Sequence, residues 1–421
     1  MKRILILIIA ITYSLTTSSQ NVNNGENINY IDPTYKDLYS YSYDSLINGN
    51  NKFSFDLLRC INMLDTSTNG KNLFISPFSI YNALAMVYDG ANNETAKEMS
   101  KVLNFNENKT NSHWGFIKLL KEYEIRNNKL FKINNAAVGD KNFNFYESYL
   151  KSLKDFGSKL LLADFSKTTE IDKTVKDINS WVSNNTNNKI NNILSSNNIS
   201  EKTKLIIMNT IYFNANWNID FDIHDTKQKT FIGKNSIKYV TDFMNNKQDV
   251  RYAKSDDAQL LVLEYEYTKA SLYIIMPNKN IDIDNYISTL DLEKFKNLER
   301  SLGYPSAYVS IPKFKMKSEY ELKNIMENLG LKTTFSSDAD FSGMSEAKDL
   351  SINELIHKSF ISITEKGTEA TAASVIPVIN CCANTNPRYI DITINRPFVF
   401  IIRENFSNAI LFIGKYVNPE N

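Results

Sequence analysis

Glu365-Lys366-Gly367-Thr368-Glu369-Ala370-Thr371-Ala372-Ala373-Ser374 opens with charge, places one glycine and then runs on in small residues. Such a run has no side chains from which to build a core. In an extended strand Thr368, Ala370, Ala372 and Ser374 face one side, and Glu369, Thr371 and Ala373 face the other. A face made only of small groups can pass between two strands that are already packed. A Leu or Lys there would cost about 1–3 kcal/mol in strain, or more in desolvation. Plain surface loops draw on Gly, Pro and Asn, whereas this run is compatible with a strand.

Outward from this segment, six blocks stand in order: Phe74-Ile75-Ser76-Pro77-Phe78-Ser79-Ile80, Ile178-Asn179-Ser180-Trp181-Val182, Asn209 to Trp217, Ile311-Pro312-Lys313-Phe314, Asn395-Arg396-Pro397-Phe398 and Leu411-Phe412-Ile413-Gly414-Lys415. Together with the 365–374 segment they resemble the serpin family over residues 51–419. The resemblance implies an α+β fold of three β-sheets and about nine helices, with an exposed reactive loop running from Gly367 toward a strand near Ile390. It also implies an irreversible inhibitor of serine-type endopeptidases that is consumed in a covalent acyl-enzyme complex, not an enzyme. Cleavage would free the loop to enter the central sheet as a new strand.

By the same resemblance, residues 365–374 (Glu365, Gly367, Thr368, Glu369, Ala370, Thr371, Ala372, Ala373, Ser374) form the loop hinge. Ser76, Ser79, Asn209 and His357 form a buried shutter under the sheet. Trp217, Lys313 and Glu365 form a breach at its top, with Lys313 and Glu365 an expected ion pair. The scissile bond is expected after Cys381, sixteen positions beyond Glu365, with Cys382 following. Counting back from Pro397 instead moves the bond as far as Asn386. Cys at that position, with Val378 and Ile379 upstream, suits a shallow apolar pocket of elastase or chymotrypsin type. Arg388 lies seven residues too late to serve a trypsin-like pocket. Pro377 removes one ladder donor and is expected to weaken insertion past Ser374. Thr368 is expected to be solvated while the loop is exposed, so that Thr368→Arg would burden only the inserted state.

Two other functions compete. A carrier, storage protein or chaperone of the same family would be expected to carry charged or bulky residues at 368, 370 or 372. A cross-class inhibitor of cysteine peptidases would use the same trap.

With 42% apolar and 12% aromatic residues in 421, the chain can bury a large core. Its 48 basic and 47 acidic residues leave a formal net charge of +1, which gives no field to steer nucleic acid or anionic lipid. Lys118, Lys121, Arg126, Lys129 and Lys132 are interspersed with Glu122 and Glu124 and read as a solvated helix face, so glycosaminoglycan binding is not expected. Residues 1–19 pair Lys2 and Arg3 with an apolar run from Ile4 to Ile11 and read as a secretory signal. Residues 20–50, rich in Asn, Tyr and Ser, read as a partly disordered extension, and 51–421 as one domain, secreted and monomeric. Asn93, Asn108, Asn184, Asn198 and Asn405 head glycosylation sequons.

Only His113, His224 and His357 are available as imidazole bases, and none stands in a hydrolase, phosphate-loop or metal motif. No cofactor or metal is expected. Cys60 sits in the helical pattern Phe53, Leu57, Leu58, Ile61, Leu64 and reads as a buried thiol. Ile80, Ala83, Leu84 and Val87 predict a helix ending at Gly90, and Thr95 with Glu98 a capping box for the next. Strands are expected over 205–213, 259–267, 271–276, 360–364, 398–403 and 409–416.

Overall fold

A seam divides the largest structural feature of the computed structural model, which describes residues 40–67, 70–105, 108–127, 131–200, 203–347, 350, 352, 355–368 and 389–419. The expected signal, most of the extension, hinge residues 369–374 and Cys381 and Cys382 lie outside these, as do the side chains of Asn198 and Asn209.

Four strands form one side of the seam: β12 (Phe314–Glu321), β13 (Ile356–Thr364), the two-residue β14 (Gly367–Thr368) and β5 (Ala215–Asn216). Three form the other: β3 (Lys159–Ala163), β2 (Phe131–Asp140) and β4 (Leu205–Phe213). Because β5 follows β4 after a single residue, the two sides are one central sheet joined at its top. Below β14, no backbone pairing joins β13 to β4 among the described residues.

The second sheet runs β1 (Leu73–Ile75), β17 (Ile410–Tyr416), β16 (Phe398–Glu404), β10 (Ala270–Pro277), β9 (Ala258–Glu264) and β8 (Arg251–Lys254). Both β16 and β17 are buried along their whole length, as the unbroken apolar runs FVFII and ILFI require of a strand covered on both faces. The third sheet runs β15 (Ile390–Thr393), β11 (Ser306–Pro312), β7 (Lys238–Asp249) and β6 (Lys227–Ile232). One core links the first two sheets: Phe74 stacks on Phe400 and Phe412 at 5.8 and 5.3 Å, and Phe213 meets Phe412 at 6.3 Å.

Nine α-helices occur among the described residues: α1 (Asp44–Leu64), α2 (Pro77–Gly90), α3 (Asn93–Leu103), α4 (Lys109–Asn127), α5 (Glu147–Asp155), α6 (Thr168–Asn185), α7 (Ile283–Ser288), α8 (Leu292–Arg300) and α9 (Lys323–Leu329). All of α2 is buried beneath the central sheet, and α6 lays Ile171, Ile178 and Val182 with Ala136, Val138 and Met208 of β2 and β4.

Two readings need correction. The ordered chain begins before residue 51, since α1 starts at Asp44 and buries Leu46, Ile47 and Asn50. Its linker-like Asn-Gly-Asn-Asn stretch is tertiary glue: Asn50 and Asn51 amides donate to the carbonyls of Ile410 and Asn408, and Asn51 accepts from the Ile410 amide. Nor is there a Thr95/Glu98 capping box, because α3 starts two residues earlier, at Asn93. Thr95 instead accepts from the Asp340 amide, and Glu98 accepts from the amides of Thr333 and Thr334.

Candidate functional site: the top of the central sheet and the seam below it

Residues 365–368 form a tight turn out of β13. Gly367 pairs with Thr364 and Asn216, and Thr368 pairs with Ile363 and Ala215, so β14 is wedged between two strands. Gly367 has φ +145°, and a Cβ built on it would lie 2.0 Å from the Ala215 carbonyl oxygen. Only glycine allows this approach. Thr368 is 2% exposed, with its hydroxyl 2.5 Å from that of Tyr265. Burial pushes the Tyr265 phenol well up, which keeps it protonated and able to donate. The expectation that Thr368 is solvated in the intact chain is therefore wrong: the first inward-facing residue of the hinge already lies in the sheet.

Around this strand the breach residues meet. Trp217 donates from Nε1 to the Thr364 carbonyl at 2.8 Å, stacks on Tyr265 at 4.6 Å and holds the turn by donating its backbone amide to the Lys366 carbonyl at 2.9 Å. Lys313 Nζ stands 3.0 Å from Glu365 Oε1, and Thr226 donates to the same oxygen at 2.8 Å. Burial alone would raise the Glu365 carboxyl, but a backbone hydrogen bond, Lys313 and Thr226 together outweigh it and hold it below the usual range. Tyr265 and Thr226 were missed by the sequence reading, since a tyrosine just past the end of β9 and a threonine in a loop carry no motif of their own.

Lower down, Ser76 caps α2 by accepting from the Ser79 amide at 3.2 Å, while its hydroxyl donates to the Leu411 carbonyl at 2.8 Å. Its own amide donates to His357 Nε2 at 3.0 Å. His357 is therefore neutral with its proton on Nδ1, and burial holds its pKa down to about 4. Ser76, Ser79 and His357 are thus brought together. Asn209 lies across the seam on β4, where its backbone is paired with Asn135. Asn135 in turn accepts from Asn82 of α2 and donates to the Phe156 carbonyl at 2.6 Å. This Asn82–Asn135 pair was also missed, although a lone Asn inside the apolar helix SIYNALAMV was a usable signal.

The remaining candidates lie apart. Cys60 is buried and free, and burial raises its thiol. His113 sits between Asp89 at 2.6 Å and Asp155 at 3.7 Å. Asn93, Asn108 and Asn184 are exposed, whereas the Asn405 amide is engaged with the Thr268 carbonyl and Ser271 Oγ. Lys118 donates to the Tyr41 carbonyl, and Arg126 lies over Phe406 at 3.8 Å.

Residues 48–419 match the family model described as Serpin (serine protease inhibitor). Serpin B6 of Pongo abelii is 34% identical over 386 residues, covering 89% of this chain and 100% of its own length. The leukocyte elastase inhibitor of Xenopus tropicalis is 35% identical over 377 residues, covering 87% and 97%. Among solved structures, human thyroxine-binding globulin complexed with thyroxine superposes with a TM-score of 0.78 at 26% identity, covering 91% and 100%.

Proposed function

Because the chain belongs to the serpin family, we propose that it is a secreted suicide-substrate inhibitor of serine-type endopeptidases with elastase- or chymotrypsin-like pockets. The single observation that carries this reading is β14, a hinge strand already paired on both sides, whose continuation is small on the inward face. Strand addition is thus begun before any bond is cut.

In this mechanism the peptidase serine oxygen attacks the Cys381 carbonyl carbon. The bond to the Cys382 nitrogen breaks, that nitrogen leaves as an amine after taking a proton, and Cys381 is held as an ester on the peptidase. The tether that stops Glu369 onward from following Thr368 is then gone. About a dozen residues entering the seam would satisfy backbone groups on both sides, worth on the order of ten kcal/mol at roughly 0.5–1.5 per bond. Insertion that outruns ester hydrolysis leaves the peptidase trapped. The 1–19 leader supports secretion, and the name of the Xenopus relative points to the elastase class for that protein.

Incubating the mature protein with elastase-, chymotrypsin- and trypsin-like peptidases, followed by denaturing electrophoresis and mass spectrometry, tests the reading. An SDS-stable adduct and a released peptide beginning at Cys382 are expected. Clean cleavage with no adduct across the panel would instead favour a carrier, a reading to which the similarity to thyroxine-binding globulin, solved in complex with thyroxine, lends support.

A further inference from the structure

Phe360 lies midway along β13, on the face of the central sheet that α6 covers. Phe314 and Met316 of β12 and Ile361 and Ile363 of β13 point the other way, into the main core, while Phe360 packs at the rim of the smaller core built on Ile178 and Val182 of α6. Three ammonium groups converge on its half-buried ring: Lys189 Nζ at 5.1 Å, Lys315 Nζ at 5.5 Å and Lys317 Nζ at 6.0 Å from the ring centroid.

Each lysine comes from firmly placed backbone. Lys317 stands directly across from Phe360 in the β12–β13 ladder, and Lys315 across from Ser362 on the same face. Lys189 belongs to the loop that leaves α6, where its amide donates to the Thr186 carbonyl. Thr186 Oγ1 in turn donates to the Val182 carbonyl and accepts from the Ile190 amide, and Ser183 Oγ reaches Asn188 and Asn191. Asn187, Asn188 and Asn192 take positive φ of 47°, 59° and 54° in this loop, a conformation that asparagine tolerates better than most residues. Lys358, two residues before Phe360, is neutralised by Glu319 at 2.8 Å. Lys189, Lys315 and Lys317 form no ion pair among the described residues, unlike the lysines of α4 that alternate with Glu122 and Glu124. Their mutual repulsion is offset in part by the negative face of the ring.

We propose that Lys189, Lys315 and Lys317 form a binding site for a compact oligoanion, a short chain of linked phosphate groups that is either free or the tail of a nucleotide. Charges gathered around one point suit a ligand whose own charges are equally close together, whereas a long polyanion needs a row of cations. Each ammonium is a compact point charge with several donors and can meet a different phosphate. Because the ammonium groups occupy the space over the ring, Phe360 offers no platform on which a base could stack, and the phosphates alone carry recognition. The site needs neither the reactive loop nor an inhibitory activity, so it stands or falls apart from the reading above.

Isothermal titration calorimetry of the mature protein with sodium tripolyphosphate tests the site, with inorganic phosphate and adenosine triphosphate for comparison. One tripolyphosphate per chain is expected, bound roughly ten-fold more tightly than inorganic phosphate and progressively weaker as salt is raised. Lys189→Gln should weaken binding roughly five-fold, and Lys315→Gln with Lys317→Gln together by more than about ten-fold, whereas Lys121→Gln on α4 should leave it unchanged. Equal affinity for tripolyphosphate and inorganic phosphate, or unchanged affinity in the variants at 189, 315 and 317, overturns the site. Adenosine triphosphate should bind as tightly as tripolyphosphate; binding that is about ten-fold tighter would reveal recognition of the base and overturn the assignment to the phosphate chain. A long sulfated polysaccharide that binds through these lysines while tripolyphosphate does not would overturn the compact ligand in favour of a polymer.

Discussion

Thr368 shows how much a single placement changes. With its side chain already at Tyr265, Thr368→Arg would bury a guanidinium without an acidic partner in the intact protein, so the cost of several kcal/mol falls on both states. The expected outcome is a melting temperature lowered by several degrees in the uncleaved chain, together with loss of the SDS-stable adduct. A variant that melts with the parent while still losing the adduct would mean that the hinge is outside the sheet before cleavage. The two buried histidines make opposite predictions with pH. His357 has its pKa depressed from 6.5 to about 4, so the unfolded chain binds a proton that the folded one refuses; stability is intact above about 6.5 and falls, by about 3 kcal/mol, as pH drops toward 4. His113 has its pKa raised to about 9, because although burial alone would lower it, Asp89 and Asp155 outweigh that effect. Its contribution is complete below 6.5 and is lost as pH rises through 9. Denaturant unfolding from pH 4 to 10 should give a stability maximum between these limbs. His357→Gln should flatten only the acid limb and His113→Gln only the alkaline one; either substitution flattening both would refute the assignment.

Elements owe their positions here to contacts that propensity does not record. Helix α2 begins where Ser76 caps it, and the same hydroxyl reaches β17 while the same amide reaches β13, so one residue ties a helix to both packed sheets. Ser76→Ala should cost roughly 1–2 kcal/mol from the lost cap and the unpaired Leu411 carbonyl. In the proposed mechanism the sheet parts above that cap, so spontaneous loop insertion on warming, followed as slow loss of adduct-forming capacity at constant protein concentration, should also accelerate. Unchanged stability and activity half-life would show that the tie is idle. The strand readings divide along the same line. The 205–213 strand coincides with the expected one, the one expected at 271–276 is a residue longer at each end and the one at 398–403 a residue longer at its C-terminal end, and the last two are legible because strands buried on both faces run largely apolar. The strands Lys238–Asp249 and Phe131–Asp140 escaped notice because their sequences, KYVTDFMNNKQD and FKINNAAVGD, mix polar residues into the run, and both strands are paired along their length by segments distant in the chain, Ser306–Pro312 and Leu205–Phe213.

For the whole molecule, no backbone pairing joins β13 to β4 below β14 among the described residues, and in the proposed mechanism cutting the loop is the event that supplies a strand between them. Cleavage within 379–386 should therefore raise the melting temperature by tens of degrees, read by calorimetry on cut and uncut protein; a transition that stays in place after verified cleavage would exclude insertion. The sequence alone determined the family, through the order of blocks such as Phe74 to Ile80 and Asn395 to Phe398, and the smallness of the hinge, because both are properties of residue type along the chain. It also determined that Lys313 and Glu365 belong to one site. Where the hinge starts and what holds it were decided only in three dimensions. Gly367 is compelled by the Ala215 carbonyl and Thr368 is received by Tyr265, contacts between segments that are far apart in sequence and are set by packing.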